Sequence, residues 1–133
     1  CNSPRQFHCK RDFIVRLADL ARRFHATGCR HRDFYLAHIF LDENDRLVLI
    51  DLQRTFVPRL LGERFRVKDI AQLHYSAPGR HVTRTDRLRF YKHYIQRDTL
   101  TAADRRFLRR IAARADRMAR HDRKHGRPAP FAT

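Results

Sequence analysis

The sequence predicts an α+β domain that is mostly helical and carries one small β-hairpin. Apolar residues recur at helical spacing over residues 12–26 and again after residue 101. Between these segments, two short apolar runs flank a polar turn at residues 42–46, and strands joined by such a turn pair as a hairpin. A length of 133 residues with 42% hydrophobic residues suffices for one modest core. We therefore expect one unit over residues 1–126 and a loose tail over residues 127–133.

The first helix is expected to begin at Asp12, a residue type that favours the N-cap position, and to end at Ala26. Gly28 follows and can end the helix in the left-handed conformation. Residues 1–11 are polar and are expected to be irregular. The helix therefore leads the chain directly into a polar turn.

The hairpin is expected to consist of a strand over residues 39–41 and a second strand over residues 47–52. The second strand is apolar on both faces, so it is expected to be buried. Because a hairpin brings its two ends together, Asp33 before it and Asp51 near its end should meet. Two carboxylates beside a histidine and a glutamine suit metal binding and base catalysis.

The segment after the hairpin, residues 54–67, is expected to be irregular because it contains Pro58 and Gly62. A helix is then expected from residue 68 to residue 76. Asp69 lies near the expected N-terminus of this helix, where the helix dipole favours a carboxylate.

Two further helices follow, each opened by a threonine. Residues 83–85 can cap the third helix, and Thr101 with Asp104 forms a capping-box pattern for the long fourth helix. Gly126 is expected to end the fourth helix. The apolar residues expected to face the core are Leu88, Phe90, Tyr91 and Ile95 in the third helix, and Phe107, Leu108, Ile111, Ala112, Ala115 and Met118 in the fourth.

The charge of the chain is strongly positive. Lys and Arg number 30 against 14 Asp and Glu, for a formal net charge of +16. Such a chain favours anionic partners: nucleic acid, anionic lipid headgroups or phosphorylated sugars. Solvated helix faces are an equally good explanation for any single arginine.

The three cysteines form neither a zinc-type spacing nor a disulfide framework, which favours a reducing compartment. Cys9 and Cys29 are expected to be buried thiols. No apolar run approaches the length of about 20 residues that spans a bilayer, and no signal peptide is visible.

Three motifs carry a resemblance to a known family. The sequence HRD at residues 31–33, followed by the hairpin and by Asp51, resembles the C-terminal, catalytic lobe of the protein-kinase-like fold. The segments HRDFYLAH, IDLQR and KDIAQLHYSA resemble those of the lipopolysaccharide kinase family of bacteria, and the resemblance covers about residues 13–125. The pattern HRDxYxxH with IDLxR is closer to the heptose-kinase type than to the Kdo-kinase type.

The resemblance implies an ATP- and Mg²⁺-dependent phosphotransferase that phosphorylates a sugar hydroxyl, of heptose or Kdo, in the lipopolysaccharide inner core. It implies that Asp33 accepts the proton of the acceptor hydroxyl and that Asp51 binds Mg²⁺. The implied substrate is an anionic glycolipid, and the implied location is peripheral, on the cytoplasmic face of the bacterial inner membrane.

The resemblance also implies roles for neighbouring residues. Arg32 joins Asp33 as a catalytic residue, by orienting the loop or by holding anionic groups. His38 stands where kinases usually carry Asn, so metal binding, contact through water and contact with phosphate all stay open for it. Gln53 stands beside the cofactor in the place of the usual Gly. His31 is expected to pack under the loop, and Asp69 to brace the loop through backbone N–H groups.

A complete kinase also has an N-terminal lobe with a glycine-rich loop and a strand lysine. The glycines of this chain form no such loop. We therefore expect this chain to be the C-terminal lobe of a longer protein and to show little or no ATP turnover alone. Two alternatives stay open: a kinase-fold protein with another acceptor or an inactive scaffold role, and a non-enzymatic basic module that binds nucleic acid. The spread of the cations along the whole chain makes nucleic acid the less favoured partner.

Overall fold

The computed structural model describes residues 4–44 and 46–129, with side chains from Lys10 onward. The described part is mostly helical, as predicted, and carries two small antiparallel sheets, where the sequence predicted one hairpin. Its elements in chain order are α1 (Pro4–Ala26), β1 (Arg30–His31), β2 (Ile39–Leu41), β3 (Leu47–Leu49), β4 (Thr55–Phe56), α2 (Gly62–Ser76), α3 (Arg84–Ile95) and α4 (Ala102–Lys124). Short 3-10 turns at Leu36–His38 and Leu52–Arg54 complete the loops.

The predicted hairpin is confirmed: β2 and β3 pair with Ile39 opposite Leu49. Asp45 of its predicted turn lies outside the described residues. A second sheet was not predicted. In it β1 pairs with β4, and His31 lies opposite Thr55. Strands of two residues are too short to show an alternating pattern, which is why the sequence gives no sign of them.

The core lies between two pairs of packed helices, α1 with α3 and α2 with α4. Phe34, from the loop before the hairpin, is fully buried among them together with Ile70 of α2 and Ile111 of α4. Seven of the fifteen residues of α2 are buried. This helix is therefore the element on which the loops before and after the hairpin rest.

Two helix starts differ from the prediction. The first helix begins at Pro4 instead of Asp12, because proline is well suited to the first turn of a helix, where its missing N–H is not needed. Asp12 lies inside α1 and pairs with Arg16 at 3.4 Å. The helix ends at Ala26, and Gly28 has a φ of +86°, both as predicted.

The second helix begins at Gly62, well before the predicted Lys68. Gly62 and Pro58 suggested a loop, but the helix starts directly after Leu61. Asp69 consequently lies in the middle of α2, so the expectation that the helix dipole favours it is wrong. Specific side-chain and backbone partners take that role instead, as described below.

The capping predictions for the last two helices agree with the structure. Thr101 and Asp104 form the predicted capping box of α4, and Thr83 forms an equivalent box with Asp86 at α3. Two predicted core positions are wrong, since Leu88 is 40% exposed and Ala112 is also exposed. Tyr94 of α3, which was not predicted as a core residue, is buried.

The prediction that the second hairpin strand is buried is also wrong. Val48 is 39% and Ile50 is 40% exposed, while Leu47 and Leu49 are half-buried. Within the described part the hairpin has two strands only, and β3 contacts α1. One face of β3 is therefore covered, and the other faces solvent.

Cys29 is a half-buried free thiol, less buried than predicted, and the side chain of Cys9 lies outside the described residues. Among the residues that the structure describes, no helix is both long and apolar enough to cross a membrane.

Candidate active site

The ring of His31 lies at the centre of the candidate site and is fully buried. Its Nδ1 accepts a hydrogen bond from the N–H of Asp33 at 3.0 Å. Its Nε2 lies 3.2 Å from the carbonyl oxygen of Ile50 and 3.1 Å from that of Asp51. Because carbonyl oxygens only accept hydrogen bonds, the proton of the neutral ring is on Nε2. One imidazole ring therefore joins the two loops that carry Asp33 and Asp51.

Asp33 is fixed at both its backbone and its side chain. Besides the bond from its N–H to His31, its carbonyl oxygen accepts from His38 Nδ1 at 2.7 Å. Its Oδ2 accepts from Arg54 Nε at 2.8 Å. The side chain of Asp33 is nevertheless 30% exposed. A hydroxyl group arriving from solvent can therefore reach a carboxylate whose position is already set.

Arg54 connects both loops through its backbone as well. Its N–H donates to the carbonyl oxygen of Asp51 at 3.0 Å, and its own carbonyl oxygen accepts from the N–H of Arg32 at 2.9 Å. With the ion pair to Asp33, Arg54 has a partner in each loop. These contacts of Arg54 could be found only from the structure, because contacts between residues far apart in the chain leave no periodic pattern in the sequence.

His38 presents a single free nitrogen. The hydrogen bond from Nδ1 to the carbonyl oxygen of Asp33 places the proton on Nδ1. Nε2 is then the ring atom available to a ligand. Imidazole nitrogen is a weak ligand for Mg²⁺ compared with carboxylate oxygen. A role for His38 therefore depends on Nε2, by accepting from water or, when protonated, by donating to phosphate.

Asp51 adopts a left-handed conformation with φ of +65° and ψ of 47°. This conformation costs a non-glycine residue roughly 1–2 kcal/mol. The carbonyl of Asp51 is held by the ring of His31 and by the N–H of Arg54. These two bonds keep the backbone in place, and strained residues of this kind cluster at functional sites.

Two other predicted site residues have few contacts with the carboxylates. Gln53 is exposed and lies in the 3-10 turn directly after Asp51. Arg32 is also exposed, and its guanidinium lies 5.3 Å from the ring centroid of Phe56. The structure thus stacks Arg32 on β4 and pairs Asp33 with Arg54.

Polar side chains of α2 bind the backbone of the loop that carries Asp33. Gln72 accepts from the N–H of Phe34 at 2.9 Å and donates to the carbonyl oxygen of Arg32 at 3.1 Å. Ser76 accepts from the N–H of Leu36 at 2.8 Å. Sequence reasoning missed Gln72 and Ser76. The available signal was their spacing of four residues, since residues four apart share a helix face.

Lys68 continues the same face of α2 by one further turn, and it was also missed. Its Nζ donates to the carbonyl oxygens of His31 at 2.6 Å and of Arg32 at 3.2 Å. It also lies 2.8 Å from Oδ1 of Asp69, and its side chain is only 14% exposed. A lysine on a helix is usually solvated, so its burial under the loop could be found only from the structure.

Asp69 is fully buried and is held by a chain of hydrogen bonds. Its Oδ2 accepts from the N–H of His31 at 3.0 Å and from His25 Nε2 at 2.9 Å. Nδ1 of His25 in turn lies 2.7 Å from the hydroxyl of Tyr94. Burial lowers the pKa of His25, and the carboxylate of Asp69 opposes this only in part. His25 is therefore neutral at pH 7, donating from Nε2 and accepting at Nδ1.

The donor set fits Mg²⁺ only together with a phosphorylated ligand. Across residues 4–44 and 46–129, no group of three His, Cys, Asp or Glu side chains is arranged to hold a metal ion. Asp51 supplies one hard oxygen donor. Mg²⁺ commonly binds one or two carboxylates and completes its shell with waters and substrate phosphates. A single carboxylate at Asp51 is consistent with that mode of binding.

Comparisons with known proteins identify the family of this chain. Residues 5–94 match the Lipopolysaccharide kinase (Kdo/WaaP) family. The lipopolysaccharide core heptose(I) kinase WaaP of Escherichia coli K12 is 26% identical over 133 residues, which cover 93% of this chain and 50% of that protein. The protein of the same name from Pseudomonas aeruginosa is 35% identical over 95 residues, covering 66% of this chain and 35% of that protein.

A solved structure of WaaP in complex with acyl carrier protein is similar with a TM-score of 0.64 and 32% identity. The similarity covers 92% of this chain and 51% of that one. The chain therefore belongs to the lipopolysaccharide kinase (Kdo/WaaP) family. It spans half or less of the length of these curated relatives.

Proposed function

We propose that this chain is the catalytic lobe of an ATP-dependent kinase that phosphorylates a heptose hydroxyl of the lipopolysaccharide inner core. The observation that supports this most strongly is the His31 ring, which joins the loops of Asp33 and Asp51 through hydrogen bonds to both backbones. The similarity to heptose(I) kinases of two bacterial species supports the acceptor.

In the proposed reaction, bound ATP with Mg²⁺ supplies the phosphoryl group and neutralises charge on the phosphate oxygens. Asp33 orients the acceptor hydroxyl and takes its proton. The ion pair with Arg54 holds Oδ2 of Asp33. The other carboxylate oxygen, Oδ1, is then left for the acceptor hydroxyl. Asp51 would hold the metal ion. Phosphoryl transfer needs mainly such positioning and electrostatic stabilisation.

The remaining site residues have supporting roles in this proposal. His38 Nε2 contacts phosphate directly or through water, and Gln53 lies beside the nucleotide. Arg32, which is exposed and stacks on Phe56 of β4, holds anionic groups of the substrate. His31 and Asp69 keep the loop in shape, as their burial and their shared hydrogen bond indicate.

We further propose that an N-terminal lobe, present in the complete protein, supplies the nucleotide-covering half of the site. The complete protein would bind its glycolipid substrate as a peripheral protein at the cytoplasmic face of the inner membrane. An acyl carrier protein is a further candidate partner, since the similar WaaP structure contains one. A net charge of +16 suits anionic partners of each kind.

The test is transfer of labelled phosphate from ATP by the complete protein to lipopolysaccharide that lacks core phosphates. We expect transfer to acceptors with an inner-core heptose and none to acceptors truncated at Kdo. Asp33→Ala should abolish transfer without loss of folding, whereas Asp12→Ala on the exposed side of α1 should leave it unchanged. Equal transfer to Kdo-truncated acceptors would contradict the heptose assignment.

A further inference from the structure

The loop that leads into α2 presents apolar side chains to solvent. Residues 57–61 join β4 to α2, and within them Val57 is 68%, Leu60 80% and Leu61 61% exposed. Leu61 also has a left-handed φ of +62°, a conformation that is unfavourable for this residue type. Leucines at this exposure contribute little to the core, so their presence calls for a partner surface.

The backbone on both sides of this loop is held firmly. The ring of Phe56 packs edge-on against Phe65 with 5.0 Å between centroids. The buried Arg30 donates from Nε to the carbonyl oxygen of Gly62 at 3.1 Å. The carbonyl oxygen of Leu61 accepts from the N–H of Phe65 at 3.1 Å. The leucines are therefore presented from a fixed scaffold.

A group of arginines, here named the basic face, extends from the start of α2, directly after this loop, along α4, where Arg110 interacts with Glu63 and Arg114 with Arg64. It consists of Arg64 of α2 and of Arg106, Arg110, Arg114 and Arg117 of α4. The α4 members are spaced four, four and three residues apart, so they share one side of that helix. Burial and the positive charges of Arg117 and Arg64 lower the pKa of Arg114, which reflects how closely these like charges are grouped.

Few carboxylates offset this charge. Glu63 pairs with Arg66 at 2.6 Å and also feels the charge of Arg110. Asp116 is exposed on α4 next to the basic face. The basic face and Arg66 together carry six positive charges, and the carboxylates of Glu63 and Asp116 offset only two of them. The surface therefore stays positive. An anionic partner would relieve the repulsion among these guanidinium groups.

We propose that residues 57–61 and the basic face together dock on an anionic lipid bilayer. The leucines would enter the interfacial apolar layer, and the arginines would bind lipid phosphates. Apolar residues flanked by cations are typical of interfacial binding segments, whereas nucleic acid offers exposed leucines no apolar layer. The inference rests on the proposed function for the membrane-bound acceptor. β4, which precedes the loop, pairs with β1, which leads into Asp33, so docking brings the candidate site to the bilayer.

Vesicle flotation of the complete protein tests this proposal without any catalytic readout. We expect binding to phosphatidylcholine vesicles that contain phosphatidylglycerol, and much weaker binding to phosphatidylcholine alone. Replacing Arg106, Arg110 and Arg117 with Gln should lower binding to the anionic vesicles roughly a hundredfold, at about fivefold for each charge. Leu60→Ser with Leu61→Asn should lower it about tenfold or more, and Asn tolerates the left-handed conformation.

Matched controls lie beyond the C-terminal end of α2, and the fifteen residues of that helix separate them from the loop of residues 57–61 by about 22 Å along its axis. Arg80→Gln with Arg84→Gln removes two exposed charges there and should keep wild-type binding. Leu88→Ser removes an exposed leucine of α3 and should also be neutral. Circular dichroism of every variant separates lost binding from lost folding.

Equal flotation of wild type with neutral and anionic vesicles would overturn the proposal. Flotation of the loop variant and the arginine variant at the wild-type level would also overturn it. A third contrary result would be that these variants lose capture of acyl carrier protein while they still bind vesicles. A delipidated core oligosaccharide should be phosphorylated equally by wild type and by the docking variants. If wild type fails on this soluble acceptor while flotation follows the expected pattern, the proposed function is wrong and the docking surface stands.

Discussion

At the scale of single residues, the histidines of this protein are defined by their partners. His31 has its proton on Nε2 because both facing groups there are carbonyl oxygens. His25 is neutral because it is buried, even though it contacts the carboxylate of Asp69. His74 is neutral for the same reason, and its Nδ1 is hydrogen-bonded with the hydroxyl of Tyr91. Burial lowers the pKa of both His25 and His74, which makes the stability of the fold sensitive to acid.

The clearest consequence concerns His74, whose pKa is lowered from 6.5 to about 4 by burial. Between these two pH values the unfolded chain binds a proton that the folded protein excludes. Stability therefore falls as the pH falls from 6.5 to 4, by at most about 3 kcal/mol for this residue. His74→Asn keeps a hydrogen-bond acceptor and should flatten that slope in urea unfolding of the complete protein. His93→Asn, at an exposed position, should keep the wild-type slope. An unchanged slope in His74→Asn would contradict this assignment.

Residue identities in the two catalytic loops were predictable because they form a contiguous motif. Asp33, His31 and Asp51 stand in HRD and IDLQ, whose order and spacing are visible in the sequence. The ion pair of Arg54 with Asp33 was not predictable. It depends on the pairing of β1 with β4, which joins residues far apart in the chain. Non-local contacts of this kind leave no periodic pattern.

At the scale of elements, α2 is the support of the candidate site. Lys68, Gln72 and Ser76 follow at four-residue spacing and bind successive backbone groups of the loop, from His31 to Leu36. The sequence predicted this helix but placed its start too late. Glycine and proline before Lys68 are usually breakers, yet here the tertiary contact of Arg30 with Gly62 helps the helix to begin. The sequence also did not show that the face of α2 with Lys68, Gln72 and Ser76 points toward the loop.

The support can be tested at Lys68. Lys68→Met would leave the buried carboxylate of Asp69 without the Lys68 ammonium and would remove one donor each from the carbonyls of His31 and Arg32, of which the Arg32 carbonyl keeps Gln72. We expect a loss of about 3–5 kcal/mol in the free energy of unfolding. Thermal or urea unfolding measures it, with Lys92→Met on α3 as a control that changes the same side chain elsewhere. A loss below that of the control would show that the loop does not depend on Lys68.

At the scale of the whole molecule, the hairpin carries several exposed apolar side chains. Phe40 and Leu41 are each 52% exposed, in addition to Val48 and Ile50. The relatives are about twice as long as this chain. We therefore expect a further lobe of the complete protein to pack on this surface. The N-terminal lobe proposed above is the candidate.

This expectation concerns stability. Phe40→Ser with Val48→Ser should destabilise the complete protein by roughly 1.5–3 kcal/mol for each residue that another lobe buries. The same pair should change little in the chain of residues 1–133 alone, where both side chains are exposed. Unfolding curves of both proteins, with Leu88→Ser as the control, provide the comparison. Equal small effects in both would show that the hairpin surface is free in the complete protein.

The central claim is that the two carboxylates have different tasks, Asp33 toward the acceptor hydroxyl and Asp51 toward Mg²⁺. Its most direct test is the rate of phosphate transfer as a function of Mg²⁺ concentration for Asp33→Asn and Asp51→Asn. Asp33→Asn should lower kcat by about 10²–10⁴-fold with an unchanged Mg²⁺ midpoint, whereas Asp51→Asn should move that midpoint to higher Mg²⁺. Wild-type kcat in Asp33→Asn, or an unchanged Mg²⁺ midpoint in Asp51→Asn, would contradict the claim.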